Sequence, residues 1–197
     1  MAGMAGLHTQ PRLILVAGPN GAGKSTLTRH LHNARDFVLV DPDAIAKEAG
    51  AGAAAAGREA IKRISEAIKA RKSLIIETTL SGKTLFAHAR QAKAAGFRIE
   101  LHFVGLDNVV LSMARIRQRA ALGGHDIPRK DAERRFPRSF ANLALMIKQC
   151  DFVRLYDNSG TSHVIIAQIH DGAIEHLADG ENMPQWARRA LREAGFA

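Results

Sequence analysis

"RLILVAGPNGAGKSTLTRHLH", residues 12–32, decides the fold. Within it, Gly18-x-x-x-x-Gly23-Lys24-Ser25 fits the phosphate-loop pattern GxxxxGK[ST]. The glycines let successive backbone N–H groups curl around a phosphate with no Cβ in the way. Lys24 then reaches the β and γ oxygens as a point charge, and Ser25 offers its hydroxyl to Mg²⁺. "RLILVA" (12–17) is a continuous apolar run of strand length, and "STLTRHLH" opens a helix, so the phosphate meets a helix N-terminus. The expected nucleotide-holding residues are Gly18, Pro19, Asn20, Gly21, Ala22, Gly23, Lys24, Ser25 and Thr26, with Ser25 also the metal ligand. The reading is of a chain that binds a nucleoside triphosphate.

Outward from the loop, 197 residues suffice for one domain with a sizeable core. "MAGMAGLHTQ" (1–10) has no basic stretch followed by an apolar run, so it reads as a loose tail and not a signal peptide, with a single domain over 11–197. No run reaches the 18 apolar residues of a membrane span. The single cysteine, Cys150, has no partner for an internal disulfide and reads as a buried, inert thiol. Together these features predict a soluble, cytoplasmic protein that does not engage a membrane.

Strand-like runs recur with helical stretches between them: "RLILVA", "FVLV" (37–40), "SLIIET" (73–78), "RIELHFVG" (98–105) and "FVRLYD" (152–157). That alternation predicts five strands in a mostly parallel sheet with helices on both faces. Ile61, Ile64 and Ile68 mark one helix, "KTLFAHARQAKAAGF" closes another at Gly96, and Val109, Met113, Ile116 and Ala120 form the stripe of a third. That third helix is expected to take Asp107 as its N-cap and to stop at Gly123-Gly124. "SHVIIAQIHDGAIEHLA" reads as a small antiparallel hairpin turning at Asp171-Gly172, and "MPQWARRALREAGF" as a terminal helix, so hairpin and helix occupy about 161–197.

Three features point from holding phosphate to transferring it. In "VLVDPDAI" (38–45) a strand ends in two carboxylates, where an open parallel sheet binds its ligands. Asp43 is the candidate general base and Asp41 the runner-up. Asp43 serves equally well on spacing as the N-cap of "AIAKEA". In "LIIETTLSG" (74–82) Glu77 ends a strand among hydroxyls, positioned to orient metal-bound water or substrate.

The third feature is charge. Lysine and arginine number 28 against 19 acids, a net charge of +9. Seven arginines (115, 117, 119, 129, 134, 135 and 138) fall in one stretch, read as a lid over about 115–140. Arg117 and Arg119 flank the apolar stripe and Arg115 points nearer to solvent. Arg134 and Arg138 share a face if the helix runs through Pro137, where a kink or restart is expected. Arginines on a mobile flap neutralise charge spreading over a γ-phosphoryl group. A solvated basic face is expected to account for at least three of the seven.

"GPNGAGKST", "DPD", "IIETTLSG", "LGGHDIP", "RRFPRS", "NL" and "YDNSG" occur in the order found in the small zeta-toxin-like kinases, and the chain resembles that family over roughly 12–160. The resemblance implies a three-layer P-loop kinase-like α/β domain, ATP with Mg²⁺, and γ-phosphate transfer to a hydroxyl. In the family the acceptor is UDP-N-acetylglucosamine and a small helical antitoxin holds the kinase off. It implies that Lys24 and Ser25 are the loop lysine and metal hydroxyl, Asp43 the base, Glu77 the acceptor-side carboxylate, and Arg135 and Arg138 lid cations. His125 or Arg119 aligns with a further arginine of the larger toxins. The segment from Pro42 to Leu74 is alanine-rich and unlike their long sugar-binding insert. A kinase for another acceptor (a nucleoside, an antibiotic or a polynucleotide 5′-hydroxyl) and a non-catalytic ATP-binding regulator are the alternatives. Nucleic acid is disfavoured: eight phenylalanines, one tyrosine and one tryptophan offer no basic–aromatic interleaving.

Overall fold

β1 (Arg12–Ala17) lies in the middle of the parallel part of the sheet, with β3 (Leu74–Thr78) on one side and β4 (Arg98–Gly105) on the other. The structure is a computed structural model that describes residues 10–33, 37–50, 52–123 and 127–196. The N-terminal nine residues, Gly124 and His125 therefore lie outside the described residues. Outward from that centre come β2 (Val38–Val40), parallel to β3, and β5 (Phe152–Asp157), parallel to β4. The order is β2-β3-β1-β4-β5-β6-β7, a seven-stranded sheet and not the expected five. The expected hairpin exists, as β6 (Val164–His170) and β7 (Ala173–Leu177), but it continues the main sheet. The physical reason is that β5 would otherwise leave an unpaired edge, which β6 closes in antiparallel register. Asp171 and Gly172, at φ 47° and 81°, form the positive-φ turn predicted between them.

Alternation along the strands sends Leu13, Leu15 and Ala17, with Leu101 and Phe103, to one face. There they pack under α3 (Ala53–Lys69), α4 (Thr84–Ala94), the second half of α6 (Arg129–Ile147) and α7 (Gln185–Ala194). Ile14 and Val16 point to the other face, against Leu27 and Leu31 of α1 (Lys24–Asn33). Val104 and Tyr156 on that face meet Leu111 of α5 (Val109–Ala121) and Phe136 of α6. The fold is thus the expected three-layer α/β arrangement. The remaining helix, α2 (Pro42–Ala49), follows β2 directly and packs on α3. No helix among the described residues is long and apolar enough to cross a membrane.

Two local expectations change. The N-cap of α5 is Asn108, whose side chain accepts from Leu111 N at 2.9 Å, and not Asp107. And α6 runs unbroken through Pro137. The missing N–H costs one helical hydrogen bond. It is offset by the contacts on either side: Phe136 packs on Phe140 at 5.1 Å between ring centroids, and Ser139 and Asn142 bond to the loop after β3.

Candidate active site

The loop from Gly18 to Gly23 joins β1 to α1 and takes positive φ at Gly18 (139°), Gly21 (71°) and Gly23 (91°). These conformations are open to glycine and strained for other residues. Space is equally tight: a Cβ on Gly21 would stand 2.7 Å from Ser112 O, and one on Gly23 2.6 Å from Asn158 Nδ2. Lys24 opens α1 buried at the foot of this cradle, its Nζ donating to Pro19 O at 3.0 Å. Burial pushes its pKa down, against the pull of Glu77, Asp43 and Asp41, while Arg119 pushes the same way as burial.

Ser25 and Thr26 are exposed in the first turn of α1. Ser25 Oγ donates to Glu77 Oε1 at 2.9 Å, and Thr28 Oγ1, one turn on, donates to Glu77 Oε2 at 2.7 Å. A hydroxyl and a carboxylate side by side are hard oxygen donors of the type Mg²⁺ takes. Asn20 Oδ1, buried in the loop, has no hydrogen-bond partner among the described residues. The glycine cradle and the oxygen pair fit a nucleoside triphosphate with its metal.

Asp41 is the residue that caps α2, its Oδ1 accepting from Asp43 N at 3.0 Å. Burial, then the nearby charge of Glu77, raises the Asp41 pKa. The capping role that the spacing allowed for Asp43 is therefore filled by Asp41, and the Asp43 carboxylate stands exposed in the first turn of α2.

The seven arginines expected to form a lid divide. Arg119, in the last turn of α5, lies within electrostatic reach of Lys24. Arg115 does not point to solvent: its guanidinium donates to Asn158 O at 2.6 Å and Gly160 O at 2.9 Å. Arg129 and Arg134 pair with Glu133 and Asp131 on their own helix, each at 2.7 Å. Arg135 is half-buried and 3.8 Å from Asp131, and Arg138 is exposed on α6 without a hydrogen bond or ion pair among the described residues. So Lys24, Ser25, Asp43, Glu77 and Arg119 share one neighbourhood, whereas Arg135 and Arg138 stand along α6.

Sequence reasoning missed the clamps on the loop. Ser112 Oγ donates to Asn20 O at 2.8 Å, and Asn158 Nδ2 donates to Ala22 O at 2.8 Å, so α5 and the segment after β5 both hold the loop backbone. Beyond Glu77, Leu80 adopts φ 56° and is held by its N–H to Thr78 Oγ1 (3.0 Å) and by Asn142 Nδ2 to its carbonyl (2.8 Å). Asn158 lies within "YDNSG", whose polar run just past a strand end was the available signal.

A central β1, a glycine cradle at its C-terminal end and carboxylates at the ends of β2 and β3 define a P-loop kinase-like α/β protein. A model of the Zeta toxin family matches residues 6–168, and the chain belongs to that family. A protein of Haemophilus influenzae is 35% identical over 123 residues, covering 60% of this chain and 87% of its own. Among solved structures, a chain of the AvrRxo1-ORF1:AvrRxo1-ORF2 complex superposes with a TM-score of 0.68 at 17% identity over 95% of this chain. This chain spans 64% of that one's length. The PezAT chromosomal toxin–antitoxin system of Streptococcus pneumoniae gives 0.60 at 18% identity, covering 94% of this chain and 84% of the other.

Proposed function

We propose that this protein is an ATP-dependent phosphotransferase that moves the γ-phosphate of ATP to a hydroxyl of a small acceptor. The observation that carries this reading is the buried Lys24 with Glu77, Asp43, Asp41 and Arg119 all acting on its charge. A site built only to hold phosphate needs the loop and the lysine. The additional carboxylate exposed at the start of α2 suits proton removal from an attacking hydroxyl.

In this reading the backbone of Gly18–Gly23 and Lys24 bind the phosphate chain, and Pro19 O keeps the ammonium aimed into the cradle. ATP with Mg²⁺ supplies the transferable phosphoryl group and the charge neutralisation it needs. Ser25 Oγ and Glu77 orient the metal side, and Thr28 fixes the rotamer of Glu77. Asp43 takes the acceptor proton on a carboxylate oxygen. Arg119, Arg135 and Arg138 stabilise negative charge as the lid settles. Membership of the zeta-toxin family supports UDP-N-acetylglucosamine as the first acceptor to try, a small helical antitoxin as a partner, and the ATP-rich cytoplasm as the place of action.

The test is transfer of label from γ-labelled ATP to UDP-N-acetylglucosamine, other nucleotide sugars, nucleosides and 5′-hydroxyl oligonucleotides, with Asp43→Asn as control. Labelled nucleotide sugar that vanishes with the variant is the expected result. Label only on another acceptor replaces the substrate and keeps the mechanism. ATP binding without transfer to any of them overturns the phosphotransferase reading.

A further inference from the structure

The strands around the phosphate loop also carry, from their opposite ends to mid-strand, a set of charges that the reaction does not use. In central parallel strands both faces are normally apolar. Here one face of β4 presents Arg98, Glu100 and His102, and β5 presents Phe152 and Arg154 beside them. The registers align Arg12 with Arg98, Glu100 with Phe152, and His102 with Arg154 across neighbouring strands. Glu100 and His102 are only 3% and 4% exposed. Buried ionic groups are costly against an apolar packing of the same volume, so a sheet face of this composition calls for a reason.

These side chains wall a cavity of about 390 Å³ that opens past α1 and the end of β6, next to His30 and His170. That volume is within the range of sites for small metabolites. The acids nearby are already engaged. Both oxygens of Glu100 accept from Arg12, Asp171 accepts from Arg98 at 3.2 Å at the rim, and Glu175 takes Gln168 and His170. The guanidinium groups are not used up: each carries five N–H donors, and Arg12 spends two on Glu100. Arg154 lies over the Phe152 ring at 5.2 Å, a flat cationic–aromatic wall. Burial, and then the charges of Arg154 and Arg12, drives the His102 pKa down to about 3.

We propose that this cavity is a second binding site, separate from the phosphate loop, for a small metabolite bearing two or more oxyanion groups. Its phosphate or carboxylate oxygens are held by the guanidinium groups of Arg12, Arg98 and Arg154. Arg12 and Arg98 lie about 17 Å from the loop, at roughly 3.3 Å per residue of β1, while His102 and Arg154 register with Val16 and extend the site along the strands toward it. The proposal does not depend on the reaction assigned above, and its failure would leave that assignment untouched.

The test uses the full chain with Lys24→Ala, which weakens phosphate capture at the loop, titrated with pyrophosphate and with citrate. Calorimetry and the imidazole NMR signals of His102 and His170 are the readouts. The expected result is saturable binding of at least one probe that moves both imidazole signals and weakens tenfold or more in Arg154→Gln and Arg98→Gln. Preference for pyrophosphate assigns a phosphate ligand, and preference for citrate a carboxylate one. Imidazole signals that stay put under both probes overturn the proposal without relying on the arginine variants to fold. So does binding that both arginine variants leave unchanged.

Discussion

Ser25 Oγ donates to Glu77 Oε1 at 2.9 Å, tying the first turn of α1 to the end of β3. With Thr28 on the other oxygen, the carboxylate faces the phosphate side of the site. Glu77→Gln is therefore expected to lower phosphate transfer by about 10²-fold, the scale of removing one organised charged group. It should also raise the Mg²⁺ concentration needed for half-maximal rate. Rates measured across a Mg²⁺ titration check both parts, and an unchanged Mg²⁺ dependence would put Glu77 on the acceptor alone.

Asp41 and Asp43 stand two residues apart and should separate cleanly in experiment. Asp41→Ala removes the α2 cap and is expected to cost about 1 kcal/mol of stability. Asp43→Asn is expected to leave the unfolding midpoint in place and cut kcat by roughly 10²–10⁴-fold. Urea melts and turnover on the same two preparations decide the matter.

Gly23→Ala meets two obstacles at once, φ 91° and an Asn158 amide 2.6 Å from the new Cβ. The loop must shift, at a cost of about 1–3 kcal/mol. ATP affinity should fall at least tenfold, as read by calorimetry. Asn158→Ala removes the obstruction and the clamp to Ala22 O together, so the double variant should lose less than the two single losses combined.

Acid should destabilise the fold through its buried imidazoles. His102 is held neutral down to about 3, while in the unfolded chain it protonates near 6.5. Between those values the unfolded state binds the extra proton, so stability falls as pH drops. From pH 7 to pH 5 this one group contributes a loss of about 2 kcal/mol. His88 and His163, both shifted down by burial, act in the same direction. Urea unfolding at the two pH values, on the native chain and on His102→Gln, isolates the contribution; equal pH slopes for the two chains would refute it.

On α6, Arg134 is bonded within its own helix and Arg138 is not. Arg138→Ala and Arg119→Ala should each lower kcat by about 10²-fold or more with little change in the melt. Arg134→Ala should leave kcat within about twofold, since its guanidinium is already engaged by Asp131 on its own helix.

Much of this architecture is legible because its signals are local. The glycine spacing, the strand before Gly18 and the positive-φ turn at Asp171-Gly172 are each written in a few adjacent residues. What the sequence hid is long-range. Nothing near Ser112 or Asn158 says that they meet the loop 92 and 136 residues away. The union of the hairpin with the main sheet depended on β5 being an edge, which only the completed strand order reveals. "RIELHFVG" and "FVRLYD" read as apolar runs, yet their polar residues alternate onto one face. Alternation in a central strand was the overlooked mark of the second cavity.

The chain order of these contacts also has a consequence for biosynthesis. β1 pairs with β3 and β4, and the clamp from Asn158 onto Ala22 spans 136 residues. During translation the loop thus emerges first and acquires its supports last. A nascent chain that ends before Asn158 carries the complete phosphate-loop sequence without the contacts that fix its shape. The loop's last clamp therefore becomes available late on the ribosome, once β1 to β5 have all been synthesised.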